Sequence, residues 1–353
     1  MPARPPTGLG RLSPWTARAI LLALLALMGY GLSLTVNSAL VDDPGQGEDP
    51  ALYAAVVRDL RAGGDYYPVT AAHLRARGYA MASPFNYRLP TLAVLVSRLP
   101  SEAVARGLLG ALAAAALATW ILALRAYLRL PQLFLVATAL LGLLLWPLVG
   151  QAHRIHETWA GVAITLSLGC FALGHGLAGM ACALGALAVR ELALPYVVLA
   201  ILFAHRARAR RELGLGLAGL ALFVVAYLVH AWLVTQHAGQ ALGTRLPWVA
   251  WGGWRFVLKT SLTNVWLLLG PPWIAALAWP LALAGTFAIP GPLGPRVRAL
   301  AFTYTAAYLI VGLPYNYLWG LLYVGPVLAG LGFAPTLLVD LCRQAFPRSI
   351  VRA

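Results

Sequence analysis

Two stretches of this chain carry almost no charge over a length that constrains everything else. Ala17 to Leu40 has none after Arg18, and Leu262 to Pro290 has none at all. A helix of about 20 apolar residues crosses the roughly 30 Å hydrocarbon core of a bilayer. Backbone polar groups in that core must be paired inside the segment itself, so a run of this kind is helical. Composition agrees: 61% of the 353 residues are apolar and only 10% are charged, where a soluble domain carries about 25% charge. The chain reads as a single integral membrane domain over residues 1–353, all-α, a polytopic helix bundle.

The formal net charge of +15 does not indicate nucleic acid. The basic residues are spread over short segments between apolar runs, as the positive-inside rule predicts for cytoplasmic loops, and no nucleic-acid motif accompanies them. Arg125/Arg129, the run Arg206 to Arg211, Arg296/Arg298 and the tail with Arg343, Arg348 and Arg352 are expected inside. An even number of crossings must then separate Arg129 from Arg206. The runs 131–149 and 157–174 supply two. The long run 177–204 must supply two more, and Arg190-Glu191 with Pro195 divides it into helices of about 13 residues, each about 20 Å long. Their turn would lie at membrane depth, lining protein or water.

By the same parity the short run Leu89 to Leu99, between Pro90 and Pro100, is an interfacial or re-entrant helix. The first apolar run, about 22 residues with no small-x-small site after it, reads as a retained span rather than a signal peptide. About ten spans result, two of them short, with both termini cytoplasmic in an inner membrane. The outer segments are 41–102, 150–156, 190–191, 235–262 and 313–317. The cysteines at 170, 182 and 342 form no disulfide framework or metal spacing. Arg in place of Lys, with abundant Ala, Leu and Gly, fits a GC-rich bacterial genome.

Of eleven acidic residues, nine fall in or beside outer segments: Asp42, Asp43, Glu48, Asp49, Asp59, Asp65, Glu102, Glu157 and Glu191. Asp49-Pro50 suits the start of an amphipathic helix with apolar residues at 52, 56, 57 and 60, Asp as N-cap and Pro at the first position. Its alternative role is a general base kept ionised by the helix N-terminus. Asp42 and Asp43 compete for that role. The aromatic segments Gly64 to Tyr67 and Ser83 to Pro90, with Tyr87 and Arg88, are interface anchors or sugar-stacking surfaces.

Gln151, His153, Arg154, His156 and Glu157 crowd the start of the fourth span. His153 and Glu157 are spaced to face one ligand. Structural hydrogen bonding, acceptor or anion binding, and part of a divalent-cation site are the readings there. Arg190, whose helical neighbour Glu191 would not face it, is either a self-neutralised pair or a phosphate clamp, since guanidinium presents a planar fork of donors. Trp248, Trp251, Trp254, Arg255 and Lys259, the only lysine, read as an interfacial helix with aromatic anchors. Asn316 lies in the last outer segment.

In order and membrane side these features resemble the glycosyltransferase C superfamily, and within it the polyprenol-phosphate-mannose-dependent mannosyltransferases. Asp49-Pro-Ala-Leu-Tyr53 matches their Asp shortly before Tyr after the first span. Gly63-Gly-Asp-Tyr66 matches a Gly-rich turn before Tyr. Asn86-Tyr-Arg-Leu-Pro90 stands where a Tyr-Pro-Pro-Leu element is usual, with Arg88 in place of the first Pro. Gly150-Gln151 matches a Gly-Gln pair, and Ala188-Val-Arg190 a basic residue ending a short span, where Lys is usual. The resemblance covers about residues 17–200.

It implies transfer of a sugar from a polyprenyl-phosphate donor to a glycan or glycolipid acceptor on the outer face. Asp49 would be the base. Arg190 would bind the donor phosphate with Arg88 or Arg154, and Tyr53, Tyr87, Gln151, His153, His156, Glu157, Glu191, Lys259 and Asn316 would contact substrates. The residues themselves leave two rivals open: a transporter or flippase for a lipid-linked sugar, and a non-catalytic membrane subunit.

Overall fold

A computed structural model describes residues 9, 12–37, 49–79, 81, 83–148, 150–238 and 250–347. Among these the chain is helical throughout, without strands. In order the helices are α1 (Pro14–Asn37), α2 (Asp49–Arg61), α3 (Tyr66–Ala76), α4 (Pro84–Tyr87), α5 (Pro90–Arg98), α6 (Glu102–Leu124), α7 (Leu130–Leu144), α8 (His156–Ala172) and α9 (Gly176–Val189). They continue with α10 (Leu194–Arg206), α11 (Arg210–His237), α12 (Gly253–Ser261), α13 (Val265–Leu269), α14 (Pro272–Gly285), α15 (Leu293–Ile310), α16 (Val324–Leu328) and α17 (Ala334–Ala345).

Among the described residues three helices are long and apolar enough to cross a membrane: Pro14–Leu34 of α1, α6 and α11. The pair Val324–Gly332 and Ala334–Ala345, bent by 58°, would make a fourth as one broken span. Leu130–Leu144, Gly176–Val189 and Pro272–Ala288 are apolar but shorter. Large apolar side chains stand exposed along the long helices, among them Leu22 and Leu25 on α1, Leu108 and Leu122 on α6, and Leu222, Leu228 and Trp232 on α11. Contiguous apolar surface of this extent is uncommon on soluble monomers and is what a helical membrane protein presents to lipid.

The centre of the bundle is α8. Nearly every side chain on it is buried, as expected of a helix that is apolar all round. It lies between α6 and α9 and also packs on the 3-10 segment Pro314–Leu322. Gly161 makes that contact possible, because a Cβ there would stand 2.0 Å from the Leu321 carbonyl oxygen.

The segment from 49 to 101 folds onto this bundle as a cover. On α2 the buried side is Leu52, Ala55, Val56 and Val57, close to the expected stripe. This face rests on α5 and α3 and against Ala152–Arg154. The turn into α3 runs through Gly63 at φ 92°, a left-handed conformation suited to glycine. It is braced by a hydrogen bond of 2.7 Å from His73 Nε2 to Asp59 Oδ2. On the far side α3 and α4 meet α11, and Tyr67 Oη lies 3.1 Å from His230 Nδ1. As expected from its prolines, 90–98 is a short separate helix, and it touches α9.

Two other sequence expectations concern placement. The long run 177–204 does break at Arg190, which leaves the helix with φ −145° and ψ 114°; α9 and α10 have 14 and 13 residues. By contrast, α12 is not a surface helix anchored by aromatics. Trp254, Phe256, Val257 and Leu258 are buried against α15 and the 314–322 segment, although Trp251 is 80% exposed. Trp248 lies outside the described residues. The apolar face that reads as an interfacial stripe here is covered by protein instead of lipid.

Candidate functional site

Four segments distant in sequence converge below the cover: the start of α2, the turn after α4, the start of α8 and the break between α9 and α10. Asp49 opens α2 as its first residue instead of standing before it as a cap. Its Oδ1 accepts a hydrogen bond of 2.6 Å from the Tyr79 hydroxyl. Its Oδ2 lies 4.0 Å from Arg88 Nη2. The Arg88 side chain is held by two further contacts. Nε donates to Tyr53 Oη at 3.0 Å and Nη1 donates to the Phe85 carbonyl at 2.7 Å.

The Arg88 backbone is the unusual feature of this flank. Its φ of 58° and ψ of 170° fall in a region that is essentially reserved for glycine and costs other residues about 1–3 kcal/mol. Pro90 follows two residues later, and Tyr87 is pinned by a short hydrogen bond from the Tyr66 hydroxyl to its carbonyl. Between these anchors the chain presents the Arg88 side chain to Asp49 through this strained turn.

Tyr53 connects the flanks. Its ring meets His156 edge-on, with centroids 4.8 Å apart. Burial pushes the Tyr53 hydroxyl above the usual tyrosine range, so it remains protonated. Next to His156, Glu157 Oε1 accepts a 2.8 Å hydrogen bond from Arg190 Nε. Arg190 Nη1 also donates to Glu191, through a short contact. Sequence-adjacent residues on a helix would not face each other. These do because Arg190 is extended where Glu191 begins a 3-10 turn. Arg190 is 1% exposed and held between two carboxylates, as a guanidinium so buried requires. Asp49 and Arg190 therefore belong to one side of the molecule, joined through Arg88, Tyr53, His156 and Glu157.

The remaining candidates fall elsewhere around this network. Arg154 Nη2 donates to Glu102 at 2.6 Å and its Nη1 to Gln151 at 2.6 Å, so Arg154 is engaged with Glu102. His153 does not share a ligand with Glu157. It sits on a separate 3-10 turn, with Nε2 3.5 Å from Glu102, and burial, reinforced by Arg106, holds its imidazole below the usual value. The break in helix between 153 and 156 defeats the expected one-turn spacing.

Consequently the partial cation site expected from His153, His156 and Glu157 does not assemble; among the described residues no group of three or more His, Cys, Asp or Glu is arranged to hold a metal. Lys259 lies over the Tyr317 ring at 5.7 Å, and Asn316 is buried. Asp42 and Asp43 lie outside the described residues. Tyr79 and Glu102 were not singled out as site residues by sequence. Glu102 belongs to the excess of outer acids, whereas no local pattern marks Tyr79.

Two cavities flank the network. One, beneath α2, is lined by Tyr53, Tyr87, Arg88, His153, Arg154 and His156 above apolar residues such as Leu52 and Val56, with about 30 Å³ of room. The other, of about 450 Å³, is apolar and runs between α10, α11 and α15, lined by Pro195, Phe223, Leu228, Ala307 and Trp319. Its one ionisable carboxylate is Glu191, the partner of Arg190. Comparison of the chain with protein-family models, curated proteins and solved structures finds no match.

Proposed function

We propose that this protein is a membrane glycosyltransferase that moves a sugar from a polyprenyl-phosphate donor to an acceptor hydroxyl. The observation that carries the reading is the approach of the Asp49 carboxylate to Arg88, 4.0 Å away without a direct hydrogen bond, on a strained turn. Strained backbone persists where surrounding structure over-determines it, and it clusters at reactive sites. A carboxylate and a guanidinium side by side without a direct hydrogen bond offer a base to a group with a proton to lose and a cation to a group that gains negative charge.

The chemistry needs only one carboxylate. Asp49 removes the proton of the acceptor hydroxyl as its oxygen attacks the anomeric carbon. The new C–O bond forms while the bond from that carbon to the phosphate oxygen breaks, and the electron pair leaves with the polyprenyl phosphate. A phosphate leaves as an anion, so it needs cations aimed at the developing charge instead of a second acid. Arg88 serves that end. Arg190, saturated by Glu157 and Glu191, acts behind it as part of a fixed field. Single displacement inverts the anomeric centre.

The polyprenyl tail is accommodated by the apolar cavity that begins at Glu191. In this arrangement the chain is a glycosyltransferase C-like bundle of about ten spans, in a bacterial inner membrane, with cytoplasmic termini and the site on the outer face. Proteoliposomes given polyprenyl-phosphate hexose with a radiolabelled sugar, together with a glycolipid extract as acceptor, test the reading. Label is expected to pass to the acceptor with wild-type protein and to stay on the donor with Asp49→Asn. Transfer at the wild-type rate by Asp49→Asn removes the base; no transfer by wild-type protein with any polyprenyl-phosphate hexose removes the reading.

A further inference from the structure

Residues that line the cavity beneath α2 carry polar groups whose hydrogen bonding is incomplete. The Tyr87 hydroxyl, both ring nitrogens of His156, Nδ1 of His153 and Nε of Arg154 are buried without a partner, and all four residues line this one space. Tyr87, His153 and His156 are 1%, 2% and 3% exposed. A buried polar group without a partner costs about 1–3 kcal/mol, and a native fold carries only a few of them. Several around a single cavity indicate that something else completes them.

The kinds of group decide what that is. An anion offers acceptors only and would be matched by donors alone. Here Arg154 is a donor, but a neutral imidazole brings one donor and one acceptor, and a tyrosine hydroxyl brings both. Glu102, also in the lining, can only accept. A mixed set of this kind fits hydroxyl groups, each of which donates and accepts. Size narrows it further. A water needs about 10–15 Å³ of such space, so 30 Å³ admits about two waters or two hydroxyls, and no whole sugar ring. The apolar side chains in the same lining, among them Leu52, Val56 and Leu92, suit the C–H face of a saccharide.

From this match we infer that the cavity binds the hydroxyl edge of an uncharged saccharide, two neighbouring hydroxyls at a time, and that this saccharide is the acceptor. The second half of the statement rests on the transferase reading; the first does not. Tyr53 and Arg88 belong both to the lining and to the Asp49 network, which brings a hydroxyl held there next to the proposed base. The family resemblance implies substrate contacts for Tyr87, His153 and His156, and the three line one cavity.

The test uses full-length protein in nanodiscs and saturation-transfer NMR with methyl α-mannoside and methyl β-glucoside. Tyr87→Phe and the double variant Tyr87→Phe/His156→Leu remove orphaned groups with little loss of volume. Both variants are expected to melt no lower than wild type when empty, since an unpartnered polar group is replaced by an apolar one. At least one glycoside is expected to bind wild-type protein, to bind Tyr87→Phe at least threefold more weakly and the double variant at least tenfold more weakly, and not to be displaced by equimolar inorganic phosphate. Should the double variant misfold, Tyr87→Phe alone decides.

Equal binding by wild type and Tyr87→Phe, displacement by phosphate, or no glycoside binding at all overturns the inference. The transfer assay separates the two claims. Transfer without glycoside binding that responds to these variants defeats the saccharide cavity and leaves the transferase; responsive glycoside binding without transfer defeats the transferase and leaves the cavity.

Discussion

The two flanks of the site hold their arginines in opposite ways. On the helix-break flank Arg190 is sealed between Glu157 and Glu191, on backbone that any residue adopts. On the cover flank Arg88 stands on a glycine-like backbone, bonded to a tyrosine hydroxyl and a carbonyl, with Asp49, its nearest carboxylate among the described residues, 4.0 Å away. The first arrangement satisfies its charges. The second accepts strain and leaves charge unspent. The contrast teaches that the deeper, more conspicuous arginine is the framework, and that the proposed chemistry belongs to the loop.

Several measurements would break or sharpen this contrast. The largest effect is expected at Asp49. Asp49→Asn should lower transfer by about 10²–10⁴-fold, the range for loss of a general base, with the melting temperature unchanged. Glu157→Gln should act through stability: it strips one of two carboxylates from a buried guanidinium, a change that costs less than the roughly 3–5 kcal/mol of leaving a buried charge wholly unpaired because Glu191 remains, and it should appear as a lost folded fraction in fluorescence-detected size exclusion. If Glu157→Gln melted like wild type and merely lost activity, the framework role of this flank would be wrong.

The strain at Arg88 is tested by comparing glycine with alanine. Both variants lose the guanidinium, but only glycine relaxes the turn. After its own entropy loss of about 0.5–1 kcal/mol, Arg88→Gly should be more stable than Arg88→Ala by about 1 kcal/mol. At Arg58, in the interior of α2, the order should reverse by about 1 kcal/mol. Thermal melts of the four variants decide.

The smallest effect concerns the brace of the cover. The hydrogen bond from His73, with a second from Arg58, lowers the Asp59 carboxyl below its usual value. A depressed folded value means the stabilisation is present above the unfolded value of about 3.9 and is lost as pH falls through the folded one. Limited proteolysis between α2 and α3 should therefore rise below about pH 4 in wild type, while Asp59→Asn should be cut more readily already at neutral pH.

Much of the local framework was legible beforehand, because it depends on neighbours in sequence. Asp49-Pro50 announces the start of α2, the prolines bound α5, and Arg190-Glu191 with Pro195 ends one helix and begins another. The pairings that make the site were not legible in the same way. Arg190 meets Glu157 across 33 positions, and Tyr79 meets Asp49 across 30; those contacts depend on how α2 lies across the bundle, which no local period encodes. The i, i+4 relation of His153 and Glu157 failed because it presumes an uninterrupted helix. The expectation for α12 failed because an apolar stripe does not say whether lipid or protein will fill it.

The break at Arg190 has a mechanical consequence for the surrounding membrane. Each half, α9 or α10, extends only about 20 Å at 1.5 Å per residue, well short of a 30 Å hydrocarbon layer. A bilayer answers such mismatch by thinning or by letting its polar zone dip inward. Where α9 and α10 cross the bilayer as proposed, the headgroup plane would be drawn down toward the break, so that a lipid could deliver its phosphate to Arg88 without lifting its chain out of the oil.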